Sequence, residues 1–116
     1  MGILSIIFQI LLAAFFLMTG SKIATGKMAE EFKRFGFPAF FNLLTGSLEI
    51  IGALGMLIGI LAPIVALFSG LLLSVIMLVA AFTLIVIAKD PFKKAIPAII
   101  LCLISIFVAL YNYLVL

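Results

Sequence analysis

Gly46-Ser47-Leu48-Glu49-Ile50-Ile51-Gly52-Ala53-Leu54-Gly55 sets one carboxylate deep inside an apolar run. Glu49 is the only charged residue between Phe35 and Ala88. An ionised carboxylate in hydrocarbon costs on the order of a few kcal/mol or more. Glu49 therefore needs a structural or functional reason, and we interpret the rest of the chain around it.

The composition predicts a membrane protein. The 116 residues are 68% hydrophobic and 9% charged, whereas soluble domains are about half apolar. Four apolar stretches, interrupted only by Glu49, each supply the roughly 20 residues that cross a bilayer. We predict an all-α, integral membrane four-helix bundle made of two antiparallel hairpins. The single transmembrane domain spans 1–116, with helices at approximately 3–22, 38–60, 63–88 and 96–115.

A short charged segment, residues 23–37, separates the first two helices. Met28, Phe32 and Phe35 recur at i, i+4 and i+7, which is typical of an amphipathic helix lying in the membrane interface. The sequence predicts Thr25 as the N-cap of this segment.

Gly36 is predicted to end the interfacial segment, because glycine tolerates the left-handed conformation that closes many helices. Pro38 and Pro97 are predicted to open the second and fourth long helices, where the missing N–H has no consequence.

The basic residues predict the orientation in the membrane. The net charge is +3, and all seven Lys and Arg side chains fall in two segments. Two hairpins place both segments at one end of the bundle, and positive loops favour the cytoplasmic side. We expect a multi-pass cell-membrane protein with both charged loops cytoplasmic and both termini outside.

Missing residue types limit the chemistry. The chain has no His and one cysteine, Cys102, so imidazole sites, an internal disulfide and a paired-thiol redox centre are excluded. We predict no catalytic residue and no metal site. The chain is not expected to be catalytic alone, and the basic segments are explained by topology without nucleic acid.

Helix geometry estimates which polar groups are level. At a rise of about 1.5 Å per residue, Glu49 lies about 16 Å from Pro38, and Gln9 about 19 Å from Lys22. We therefore expect a neutral Glu49, hydrogen-bonded near Gln9, because desolvation disfavours the charged form. Lys22 is either an ordinary interfacial lysine or a residue at the mouth of a pocket.

One face of the second helix combines small and polar residues. Gly46, Gly52 and Ala53 would leave room beside Glu49, and Met56 would supply an adaptable apolar wall. The predicted ligand-binding residues are Glu49, Gln9, Gly46, Gly52, Met56 and Lys22. Two alternatives to ligand binding remain open. The glycines could serve only to pack helices together, and Glu49 could serve only to join helices by a hydrogen bond.

Three motifs resemble the DoxX-like family of small four-helix membrane proteins. They are Phe16-Leu17-Met18-Thr19-Gly20-Ser21-Lys22-Ile23, Phe35-Gly36-Phe37-Pro38 and Gly46-Ser47-Leu48-Glu49-Ile50-Ile51-Gly52-Ala53. The spacing from Gly20 to Lys22 is one residue tighter than the usual pattern of that family, so a shared role for Lys22 is not implied. The resemblance implies either a membrane subunit of a quinone-linked oxidoreductase, thiosulfate oxidation included, or a partner in oxidative-stress complexes or protein assembly. It implies no metal or flavin in this subunit.

The sequence therefore predicts a small membrane subunit that binds a lipophilic, quinone-like molecule near Glu49 and works with a redox partner. That partner would dock on the basic cytoplasmic loops, and a homo-oligomer is an open alternative. A non-enzymatic adaptor or assembly factor is the second hypothesis. A proton-coupled exporter ranks third, because small exporters of this size carry their Glu on the first helix.

Overall fold

The computed structural model describes residues 2–38 and 40–116. Within them the order is α1 (Gly2–Ala24), α2 (Ala29–Arg34), α3 (Phe40–Ile58), α4 (Pro63–Phe82) and α5 (Phe92–Leu114). A π-helical turn, Thr83–Ile87, prolongs α4. Four of these helices, with α4 taken through Ile87, are long and apolar enough to cross a membrane. The predicted all-α membrane bundle with a short segment between its first two long helices is confirmed.

The helices pack as two hairpins. α1 packs along α3 and α4 along α5, α3 joins the hairpins by packing on α4, and α1 makes a smaller contact with α5 that includes the Phe8–Phe107 ring pair. Both charged loops lie at one end, here the charged-loop end, because Arg34 binds Asp90 across them. The other end is the terminal end: a Cβ added at Gly2 would lie 3.7 Å from the Tyr111 hydroxyl.

Glycines end both helices of the first charged segment. Gly26 and Gly36 have φ of +87° and +83°, and each helix closes with the paired backbone bonds of a Schellman motif. The stop predicted at Gly36 is therefore confirmed. The N-cap predicted at Thr25 is wrong: its hydroxyl donates to the carbonyls of Ser21 and Lys22, at the end of α1.

The fourth long helix starts earlier than predicted. Pro91 is its N-cap residue and Phe92 its first residue, so Pro97 lies inside the helix. Pro97 removes a backbone donor there, which membrane helices tolerate when the surroundings adapt. Pro38 precedes the first described turn of α3, and its carbonyl accepts the N–H of Phe41 at 3.1 Å.

Near the terminal end, Gly52 of α3 and Gly59, which directly follows α3, let α4 approach closely. A Cβ added at Gly52 would lie 2.6 Å from the Leu73 side chain, and one at Gly59 would lie 2.7 Å from the Ala66 backbone. Small residues of this kind are typical of membrane helix interfaces, where close packing replaces the hydrophobic effect.

Near the charged-loop end, α3 touches α1 instead. A Cβ added at Gly46 would lie 2.5 Å from the Gly20 carbonyl oxygen and 2.6 Å from the Ala24 nitrogen. The packed midsection of the bundle consists of side chains that are at most 2% exposed, chiefly Leu12, Phe16, Met56 and Leu73.

Candidate functional site

A cavity of about 660 Å³ occupies the bundle towards the charged-loop end. Side chains from α1, α3, α4 and α5 form its walls, and α2 lies across the end that faces the loops. The lining is mostly aliphatic and aromatic, and its volume is in the range of pockets that hold drug-sized ligands. Its polar and charged lining residues are Thr19, Thr45, Glu49, Thr83, Lys22, Glu31 and Lys94.

Glu49 provides the buried carboxyl of the cavity. It is 3% exposed, and the Thr19 hydroxyl donates a hydrogen bond of 2.7 Å to its Oε1. The other oxygen, Oε2, receives no hydrogen bond from the described residues, and Glu49 borders the cavity. Thr19 thus fixes the carboxyl while leaving one hydrogen-bonding position open.

Gln9 does not meet Glu49, and the predicted hydrogen bond between them is wrong. Its Nε2 donates to the Met56 carbonyl at 3.0 Å, and its Oε1 accepts the Ser5 hydroxyl at 2.9 Å. Asn112 of α5 donates to Ser5 at 3.4 Å and joins this separate network near the terminal end.

The predicted alignment of α1 against α3 was wrong by about two helical turns along the helix axis. The prediction placed Lys22 level with Pro38, at the membrane surface. In the structure α1 continues to Ala24 and Gly20 is already level with Gly46. Thr19, not Gln9, therefore reaches Glu49.

Only two of the six predicted ligand-binding residues border the cavity, namely Glu49 and Lys22. The space beside Gly46 is occupied by α1, and the space beside Gly52 is occupied by Leu73. Neither glycine therefore leaves free space beside the carboxyl. Met56 is fully buried in the packed midsection. Lys22 is exposed and forms no salt bridge within the described residues.

Arg34 ties the two charged loops together. Its guanidinium donates to both Asp90 carboxylate oxygens at 3.1 and 2.9 Å, and to Glu31 at 2.7 Å. It also lies 5.0 Å from the centre of the Phe35 ring, a cation–π geometry. These hydrogen bonds lower the pKa of Asp90 and raise that of Arg34. We call the Arg34–Asp90–Glu31 contact the loop clasp.

The sequence interpretation missed the role of Thr19 as the partner of Glu49 and the role of α2 in the cavity lining. Thr19 falls on the face of α1 that carries the buried Phe16 and Gly20, and that spacing is the signal that could have placed it towards α3. α2 contributes Glu31 and Phe32 to the cavity lining, and its N-cap residue Met28 also borders it. All three residues of the predicted apolar stripe, Met28, Phe32 and Phe35, border the cavity, so the stripe packs on protein.

Within the described residues no group of three or more His, Cys, Asp or Glu side chains is placed to hold a metal ion. The fold and the site together define a multi-pass membrane protein with a single buried carboxyl beside an inter-helix cavity. The sequence profile described as "DoxX-like family" matches residues 7–108. The chain belongs to the DoxX-like family.

The chain is also similar to a Bacillus subtilis (strain 168) protein, "Uncharacterized protein YdgD". The two are 32% identical over 113 residues, which cover 95% of this chain and 98% of the relative. No solved structure matches the chain significantly.

Proposed function

We propose that this protein binds a lipophilic, quinone-like molecule in the cavity beside Glu49 and works with a redox partner that supplies the electrons. One observation carries the proposal: a cavity of about 660 Å³, lined mainly by apolar side chains, has an oriented carboxyl at its inner wall. Apolar pockets with a few placed polar groups are the usual sites for small lipophilic ligands.

Glu49 gives the site its chemistry. A neutral carboxyl can donate its proton from Oε2 to a ring carbonyl oxygen while Oε1 stays bound to Thr19. Reduction of a quinone to a quinol takes up electrons and protons, and Glu49 can pass one proton to the bound ring. The chain has no His and a single Cys, so the electrons would come from a partner.

Family membership supports the same direction, because some DoxX-like proteins resemble membrane subunits of quinone-linked oxidoreductases. The basic charged-loop end is where a soluble partner would dock. The adaptor hypothesis needs the basic end alone, whereas the quinone hypothesis also needs the cavity, and this difference makes the two separable by experiment.

Binding of decylubiquinone to purified protein in nanodiscs tests the proposal. We expect saturable binding by wild type and an affinity about tenfold lower in Glu49→Ala, since loss of a hydrogen bond to a buried carboxyl is worth about 1.4 kcal/mol on this scale. Ala98→Leu fills the cavity wall and should weaken binding as well, because Ala98 lines the cavity.

Ser105→Ala is the matched control, because Ser105 is buried on α5 but does not border the cavity. Its affinity should equal that of wild type. Equal affinity in wild type and Glu49→Ala, or no saturable binding in either, would favour the adaptor hypothesis.

We further propose that the charged-loop end faces the cytoplasm, because it carries the basic residues of both loops. A single cysteine at Glu30 or at Leu116, each in a Cys102→Ala background, would be treated in intact cells with an impermeant thiol reagent. Labelling at position 116 but not at position 30 is expected. The opposite pattern would reverse the orientation.

A further inference from the structure

We propose that the cavity opens sideways into the lipid between α3 and α4, and that its ligand is a ring compound with an apolar tail. The ring would lie at Glu49, and the tail would pass through this opening into the bilayer. The inference rests on the proposed ligand site and adds to it the route of access and the class of ligand.

The first observation is that α3 and α4 diverge towards the charged-loop end. Their close approaches, Gly52 on Leu73 and Gly59 on Ala66, lie on the terminal side of Glu49. From Glu49 towards the charged-loop end, α3 and α4 both border the cavity instead of packing against each other. A wedge-shaped gap therefore separates α3 from α4, and Glu49 lies near the narrow end of this gap.

The second observation is the exposure of apolar lining residues on α4. Val75 and Val79 border the cavity and are nevertheless 57% and 54% exposed. A side chain that is both a wall and more than half exposed lies at a rim. At this depth of a membrane-spanning helix the medium outside that rim is lipid.

Towards the two ends of the bundle, side chains cover the cavity. Towards the terminal end, Phe16, Met56 and Leu73 are completely buried and fill the space between the helices. Towards the charged loops, Phe32 of α2 and Phe35, which directly follows α2, border the cavity, and their ring centres are 6.3 Å apart. The loop clasp holds α2 against the α4–α5 connection.

These features select the ligand. A cavity of about 660 Å³ holds a ring and the first part of a tail. The remainder of a longer tail needs no protein surface, because the opening leads into acyl chains that are themselves apolar. Glu49 and Thr19 then bind the ring, whereas the protein does not select for the length of the tail.

A variant at the rim tests the route of the tail. Val75→Trp narrows the opening, and Leu103→Trp on α5 is the control, because Leu103 is 61% exposed but does not border the cavity. Binding of decylubiquinone and of tail-less duroquinone would be compared in nanodiscs. We expect Val75→Trp to weaken decylubiquinone about tenfold relative to duroquinone, and Leu103→Trp to change neither.

The outcomes separate this inference from the proposed function. If wild type binds neither quinone, the proposed function fails. If wild type binds both and Val75→Trp affects them equally, or affects neither, the ligand site stands but the tail does not leave between α3 and α4.

A second measurement needs no ligand. The chain has no Trp, so Met77→Trp places one reporter in the cavity wall, and Phe16→Trp places one in the packed midsection. Acyl chains carrying bromine should quench the Met77→Trp fluorescence well above that of Phe16→Trp, whereas aqueous acrylamide should not. Quenching of Met77→Trp by acrylamide, with no excess over Phe16→Trp from brominated lipid, would overturn the lateral opening.

Discussion

α3 meets its two neighbours in opposite ways. Against α1 it is held along its length: Gly46 rests on the Gly20 backbone near the charged-loop end, and the Met56 carbonyl accepts Gln9 near the terminal end. Against α4 it is packed only near the terminal end, and the rest of that side borders the cavity. Small residues on α3 therefore produce close contact where two helix axes converge. A cavity remains between the helices only where the axes diverge.

The strongest test of this difference is a methyl group added on each side of α3. Gly46→Ala should destabilise the protein by about 3 kcal/mol, because its Cβ would meet backbone atoms of α1 that cannot move independently. Gly52→Ala should cost less, about 2 kcal/mol, since its Cβ meets the buried side chain of Leu73, which can shift more easily than a helix backbone. Unfolding in detergent followed by circular dichroism measures both.

Ser47→Ala is the control for that pair, because Ser47 is a half-buried neighbour of Gly46 on the same helix. It should unfold like wild type. Equal losses at Gly46 and Gly52 would mean that the two sides of α3 are not packed differently.

The architecture could be predicted because membrane constraints act on composition and length. Four apolar runs and two basic loops leave few arrangements, and the helices found at Gly2–Ala24, Phe40–Ile58, Pro63–Ile87 and Phe92–Leu114 match the predicted spans within about one turn. Gly36 was predictable for a local reason, since the left-handed conformation favours glycine.

The partners of the polar groups could not be predicted from residue counts. Depth was counted from Lys22, but α1 runs past that lysine, and the Gly20–Gly46 contact fixes the register. Such a contact depends on which faces of two helices meet, and hydropathy does not reveal that. For the same reason the glycines of α3, interpreted as space around a ligand, instead bring helices together.

A weaker test concerns the bond between α1 and α3 at the cavity. Thr19→Val should cost about 0.6 kcal/mol, the mean size of a hydrogen bond between membrane helices, and Glu49→Gln should fold like wild type because its amide oxygen still accepts Thr19. We expect the infrared spectrum at neutral pH to show a protonated carboxyl band. It should vanish in Glu49→Gln and shift in Thr19→Val. An ionised carboxylate band that vanishes in Glu49→Gln would contradict a neutral Glu49.

The loop clasp should have the smallest effect on stability and a local effect on motion. The side chains of Arg34 and Glu31 are 40% and 46% exposed, and exposed ion pairs add little. Because the folded pKa of Asp90 is lowered, the stabilisation is present above its ordinary pKa of about 4 and is lost as the pH falls through the lowered value. Asp90→Asn should therefore leave the unfolding temperature nearly unchanged at neutral pH, while amide hydrogen exchange in α2 accelerates.

Lys93→Gln is the control, since Lys93 forms no salt bridge within the described ranges. Unchanged exchange in α2 of Asp90→Asn would show that the aromatic side chains alone hold α2 over the cavity.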